Sequence, residues 1–178
     1  PSLLGASVED NLEPKLEWLQ KRLDLDDKQL RKVARHVSVL STSIDILESK
    51  LDWLQRRLDL DEAELKKVVL VRPQLLSFSV EDNIAPKLNW LQTRLDLDDV
   101  GLRKTVLQLP AVLGYSVEDN LEPKLRWLRT RLELDDAQLR KIVMARPALL
   151  GYSVEDNMEP KLEWLQSRLD LDDAGLRK

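Results

Sequence analysis

The chain has 178 residues, with 28 basic and 32 acidic side chains for a net charge of −4, and no cysteine. Disulfides, cysteine-based zinc sites and thiol catalysis are therefore excluded, and the longest uninterrupted apolar stretch, Val68 to Val71, is far too short to cross a bilayer. With 34% charged residues, 4% aromatics and 5 glycines, the composition favours short amphipathic helices over strands, so the expected fold class is all-α.

Five tryptophans, Trp18, Trp53, Trp90, Trp127 and Trp164, recur at spacings of 35, 37, 37 and 37. SVEDNLEPKLEWL from Ser7 returns in close variants at Ser79, Ser116 and Ser153, with a divergent copy, TSIDILESKLDWL, at Thr42. A fixed period of this length marks one supersecondary unit stacked on copies of itself, an α-solenoid in which each unit buries its apolar face against its neighbours. The expected repeats are 1–35, 36–72, 73–109, 110–146 and a partial 147–178, one repeat domain cut at both ends. Two longer helices and one short helix fill each unit.

The first element of a unit, helix A, is predicted to follow a Ser cap (Ser7, Ser79, Ser116, Ser153) with an acid three residues later, as in a capping box, and to run to Leu23 and its equivalents. Val8, Leu12, Leu16, Leu19 and Leu23 form its core stripe. Pro14, Pro86, Pro123 and Pro160 either bend this helix two turns in, or occupy the first turn of a helix that starts near Asn11 and its equivalents. Copy two has Ser49 at this place.

LDLDD follows, a turn in which Asp26, Asp61, Asp98, Asp135 and Asp172 are placed to cap helix B, with Gln29, Glu64 and Gln138 completing capping boxes in three copies. The acids lack the spacing of a calcium loop, and capping accounts for every copy. Helix B carries Leu30 and Val33 and ends before the next proline, where a Pro-x-Leu-Leu turn such as Pro147 to Leu150 makes the short third helix. Copies four and five differ at seven of 32 comparable positions, while copy two is shorter, lacks both prolines and holds the only histidine, His36. A single imidazole without a second ligand makes no metal site, and no Gly-rich phosphate loop, nucleophile elbow or unique acid/base pair is present. Neither a cofactor nor an enzymatic activity is expected.

The Pro–Leu–Leu turn, SVEDN-L-x-PKL-x-WL, RL-x-L and the L-x-KVV-x-R-x-P ending resemble the repeat of the mitochondrial transcription termination factor (mTERF) family across the whole chain. The resemblance implies triple-helical repeats in a curved superhelix that binds double-stranded DNA, or RNA, and acts with the transcription machinery of a mitochondrion or chloroplast. No membrane association is implied.

Basic residues occupy fixed columns. Lys15, Lys50, Lys87, Lys124 and Lys161 lie three before the tryptophans, and Arg22, Arg57, Arg94, Arg131 and Arg168 four after them, two turns apart on one edge of helix A. Helix B adds Arg31/Lys32, Lys66/Lys67, Arg103/Lys104, Arg140/Lys141 and Arg177/Lys178, and copy four has Arg126 and Arg129 as extras. Stacked repeats would turn these columns into stripes that a phosphate backbone can follow without any base being read, so all of them except the tryptophans are candidate nucleic-acid-binding residues. The acidic total argues the other way. The same residues would serve structure if Arg stacked on Trp and Lys stems covered apolar surface, leaving a protein-interaction scaffold as the alternative. Each Trp, and Phe78, Tyr115 and Tyr152 beside the Ser cap, is expected to pack between units.

Overall fold

A computed structural model describes residues 12–172 and 175–177; Ser7, Val8, Glu9, Lys178 and the side chain of Arg177 lie outside the described residues. No strand occurs among the described residues. The helices are α1 (Glu13–Arg22), α2 (Asp27–Ala34), α3 (Val37–Leu40), α4 (Ile44–Leu58), α5 (Glu62–Val71), α6 (Ala85–Leu95), α7 (Asp99–Gln108), α8 (Glu122–Arg131), α9 (Asp136–Ala145) and α10 (Glu159–Leu169). Helix A of the five copies is thus α1, α4, α6, α8 and α10, and helix B of the first four is α2, α5, α7 and α9. This is the repeated all-α architecture of an α-solenoid.

The chain divides into two compact units, one up to Asn89 and one from Trp90. In the first, α1 packs on α2, α2 on α5, and both α3 and α5 on the 3-10 turn Pro73–Ser77. In the second, α8 packs on α9, α7 on α9, and the 3-10 turns Pro110–Gly114 and Pro147–Gly151 touch each other.

Local chemistry explains each boundary. Asp26, Asp61 and Asp135 accept from the backbone N–H of Gln29, Glu64 and Gln138, whose side chains reach back to the cap N–H, so the three predicted capping boxes are present. Asp98 and Asp172 accept from the N–H of Gly101 and Gly175. Helix B stops at Arg72, Leu109 and Arg146 because a residue before proline is pushed out of the helical region. Helix A stops at a left-handed residue, Asp24, Asp59, Asp96, Glu133 or Asp170, with φ between 46° and 53°. The following Leu N–H then bonds back five residues, as from Leu60 to Gln55 (3.0 Å) and from Leu134 to Arg129 (2.8 Å), which turns that leucine into the core.

The predicted stripe of helix A is the core face. Leu19, Leu23 and their counterparts Leu54, Leu58, Leu91, Leu95, Leu128 and Leu132 are buried, while Leu12 and Leu16 in the first copy are half-buried.

The proline region follows the second alternative, with proline in the first α turn, but the α-helix starts two residues later than expected. Ser79, Ser116 and Ser153 cap the chain, each accepting from the N–H three residues on at 3.0 Å. The acid at that third position accepts a hydrogen bond from the serine hydroxyl rather than from the cap N–H, a variant of the expected box. The next turn is a π-turn: Ile84, Leu121 and Met158 donate to the carbonyls of Ser79, Ser116 and Ser153, five residues back, at 3.0–3.1 Å. The α-helix starts only at the residue before the proline, which therefore sits in the first α turn where its missing N–H costs nothing.

Copy two is the natural control. It has no proline, its cap is Ser43, and α4 is regular from Ile44 to Leu58. Ser43 lies ten residues before Trp53, whereas Ser79 lies eleven before Trp90. The π-turn is thus the structural form of one extra residue. Ser49→Pro should cost about 3 kcal/mol in urea unfolding, because α4 lacks the residue that lets the other copies widen the turn. Inserting one residue after Ser43 in that variant should recover most of the loss.

Candidate nucleic-acid interface

The lysine column of helix A does not face solvent. Lys15, Lys50, Lys87 and Lys124 are 5–7% exposed. Lys15 donates to the Leu40 carbonyl (2.5 Å), Lys50 to Leu76 (2.6 Å) and Lys124 to Leu150 (2.7 Å), in each case a carbonyl in the short third helix of the following copy. Lys87 and Lys124 also donate to Asn83 and Asn120 one helical turn back, at 3.4 and 3.2 Å. Their ammonium groups lie 6.0 and 5.9 Å from the ring centres of Phe78 and Tyr115, and Lys161 lies 5.6 Å from Tyr152. Burial lowers the pKa of Lys15, Lys50 and Lys124, with the charges of Glu81 and Glu155 opposing it at Lys50 and Lys124. In this arrangement Lys15, Lys50, Lys87 and Lys124 are closed to a phosphate. They are internal ammonium sockets, and only the fifth member, Lys161, is exposed.

The arginine column is largely consumed by carboxylates. Arg22 meets Glu48 (2.9 Å), Asp52 (3.1 Å) and Glu62 (2.9 Å) of copy two. Arg94 and Arg131 repeat the first of these contacts with Glu122 and Glu159, both at 2.8 Å, and Arg131 adds Gln166 at 2.7 Å. The partner is the acid one residue before the proline register. At Arg57, which is half-buried, the corresponding residue is Ala85. The expected stacking of Arg on Trp is replaced by these bridges at Arg22, Arg94 and Arg131.

On helix B the two adjacent basic columns separate. Lys66 donates to the carbonyl of left-handed Asp24, and Arg140 to the carbonyl (3.1 Å) and carboxylate of left-handed Asp96, so this column holds the end of the preceding helix A. Arg103, in the same column, is half-buried, and Arg31 is exposed. The neighbouring column, Lys32, Lys67, Lys104 and Lys141, is exposed in every copy and forms no ion pair among the described residues. Arg126 is exposed but bonded to Glu122 (3.0 Å), Arg129 is exposed with Asp136 at 3.5 Å, and Arg168 is exposed.

Arg35 and Arg146, exposed at the C-terminal ends of α2 and α9, belong with this surface and were not among the residues singled out in sequence. The signal for them is a count of acids. No Asp or Glu occurs from Lys28 to Ile44, Leu65 to Val80, Val100 to Val117 or Ala137 to Val154, and these stretches hold four, three, two and three basic residues. Each comprises most of helix B and the short helix after it. The acids lie instead in the serine-capped turn, in helix A, in the turn that follows it and in the first turn of helix B. In the first unit Lys28, Arg31, Lys32 and Arg35 line an open groove of about 580 Å³ with Asp26, Gln29 and Leu70.

Trp18 and Trp53 lie at junctions between copies. Trp18 shares a groove with Glu62, Ala63 and Lys66, and Trp53 another with Ser79, Val80 and Glu81. Tyr115 abuts the next turn: a Cβ built on Gly151 would lie 3.3 Å from its Oη.

Helical repeats joined copy to copy, with an acid-poor basic surface on helix B, define a helical-repeat protein without any assembled catalytic cluster among the described residues. Its repeat is that of a known class: the chain matches the mTERF family over residues 1–132 and again over 37–169. It belongs to the mTERF family. No curated protein matches it closely enough to add a relative.

The two lysine columns are separable by stability. Lys124→Met should cost about 1–3 kcal/mol in denaturant unfolding by leaving the Leu150 carbonyl and Asn120 without their donor, whereas Lys141→Met should stay within about 0.5 kcal/mol of the parent. The arginine bridges predict an acid effect. Burial raises the Glu122 pKa, but hydrogen bonds from Arg94 and Arg126 and their charges outweigh it, so the carboxyl is held below the ordinary carboxylate range. Because the folded value is depressed, its stabilisation is complete above the unfolded-state value and is lost as pH falls through the folded one. Glu122→Gln should therefore flatten the loss of thermal stability between neutral and acid pH.

Proposed function

We propose that this mTERF protein binds double-stranded nucleic acid through the acid-free faces of its B helices. The contacts are made by Lys32, Lys67, Lys104 and Lys141, with Arg31, Arg35, Arg126, Arg129 and Arg146 contributing. The segregation of charge carries the reading: a chain with net charge −4 keeps carboxylates out of most of helix B and the short helix after it in four copies. Phosphate contacts need a local basic surface and not a basic total. A helix-dipole role for the same bases accounts for their place in the last turns of helix B, but not for the absence of acids from the short helix that follows.

Family membership supports duplex DNA as the partner, RNA being the second substrate to try, and an organelle, mitochondrion or chloroplast, as the place of action. The mechanism is occupancy. Bound along the backbone without reading bases, the protein obstructs or recruits the transcription machinery, and termination is one outcome of such a block.

The test is a salt titration of duplex binding. The parent should lose affinity steeply between about 50 and 200 mM salt, and the quadruple variant Lys32→Glu, Lys67→Glu, Lys104→Glu, Lys141→Glu should lose binding while keeping parental helicity. Neutral Gln replacements at the same four positions should lower the log–log salt slope by about 0.9 for each phosphate contact removed. Absence of duplex binding at low salt overturns the proposal and leaves the protein-interaction scaffold.

A further inference from the structure

The junction between copies three and four departs from the repeat at three positions that meet in space. On α9 of copy four, Met144 stands where copies two and three have Leu70 and Leu107. Across the junction on α7, Gly101 takes the place of Gln29, Glu64 and Gln138, and Thr105 that of Val33, Val68 and Ile142. A Cβ built on Gly101 would lie 3.3 Å from the Met144 methyl, and the Thr105 hydroxyl lies 3.6 Å from the Met144 sulfur. That hydroxyl also donates to the Gly101 carbonyl at 2.9 Å, and Thr105 is fully buried. Glycine thus clears a seat for the thioether, and threonine lays a polar group against its sulfur. Both copies lie inside the array, so the seat is complete whatever adjoins its ends.

The outer side of the seat is open. Met144 is half-buried and lines an open groove of about 580 Å³ with Asp96, Asp98, Arg140 and Lys141. The other methionine of the chain, Met158, is 6% exposed and belongs to the core. The Met144 side chain therefore borders solvent on one side and α7 on the other. Beneath it, Leu102 and Val106 of α7 and Leu139 and Val143 of α9 are buried where the two helices pack.

We propose that Met144 is a reversible oxidation site that governs the fit of copy four on copy three, with hydrogen peroxide as the oxidant. The sulfur attacks one peroxide oxygen, the O–O bond breaks and an S–O bond forms. The proton on the transferred oxygen passes to the departing hydroxide, so water leaves and the thioether becomes a sulfoxide, two electrons poorer. A flexible apolar side chain is thereby made polar and bulkier at the sulfur, against a helix it already touches. It no longer fits the seat that Gly101 leaves, and α9 lifts from α7. Leucine, which copies two and three carry in this register, has no atom that reacts in this way.

Titrating the full 178-residue chain with hydrogen peroxide and sequencing its peptides by mass spectrometry tests this. The expected result is one oxygen added to Met144 before Met158 reacts. The singly oxidised chain should have a lower urea midpoint and faster amide exchange in α7 and α9, with α2 and α5 unchanged. Methionine sulfoxide reductases should restore both. Met144→Leu should keep parental helicity and lose no stability under the same treatment, while Met158→Leu, which leaves Met144 as the sole methionine, should respond as the parent does. None of these readouts needs nucleic acid, so they stand apart from duplex binding. Met158 reacting as fast as Met144, a midpoint and exchange unmoved by Met144 oxidation, or an equal loss in Met144→Leu overturns the proposal.

Discussion

A buried ammonium group reaching the leucine carbonyl of the following short helix is the contact on which the stacking of copies depends. Lysine is costly to bury, and the structure meets that cost with a carbonyl, an asparagine one turn back and an aromatic face, satisfying the group from three directions. The interaction fixes distance and angle as a purely apolar interface would not. Its hydrogen-bonding geometry tolerates little sliding, whereas leucines alone would pack acceptably in several registers. Around it, arginine to glutamate and helix-B base to left-handed carbonyl add two further constraints, so the junction of the first two copies is held by three polar contacts of distinct chemistry on top of a leucine core.

This use of cations changes how charge should be read in the protein. Most of the bases that repeat most faithfully are internal: the lysines bond backbone carbonyls, and the arginines neutralise acids that also repeat. What remains outside is smaller and differently placed: one lysine per copy on helix B, in a stretch from which carboxylates are missing. Net charge conceals that pattern because the paired acids and bases of helix A dominate the sum. A nucleic-acid backbone responds to potential at its own surface within about a Debye length, roughly 8–10 Å at physiological salt, and not to the total.

The period, the all-α class, the aspartate caps and the helix-B boundaries were legible in the sequence because each rests on local chemistry repeated in several copies. The fate of the basic columns was not. Lys124 and Arg94 read as surface by residue type, and their burial follows from partners 26 and 28 residues away in the next copy, a distance that only stacking reveals. One clue was present: Asn83 and Lys87 stand a turn apart beside Phe78, and Asn120 and Lys124 repeat this beside Tyr115. A cation with a recurring amide and a recurring ring is dressed for burial. The π-turn was equally visible as arithmetic, in the ten residues from Ser43 to Trp53 against eleven from Ser79 to Trp90, but the tryptophan alignment placed the difference elsewhere.

The extra residue and the proline also constrain how such an array can be rearranged. An α-helix turns about 100° per residue, so one unabsorbed residue between cap and tryptophan would swing every following side chain off its face. Copies three, four and five share the eleven-residue spacing, so segments exchanged among them keep lysine and tryptophan in the same phase from the serine cap. Copy two can exchange only in blocks that keep its own cap with its own Ser49. A crossover between Ser43 and Trp53 would leave a helix out of phase with its neighbours. The cap, the spacing and the residue at the proline position therefore work only as one block, and a copy is interchangeable with another only when all three travel together.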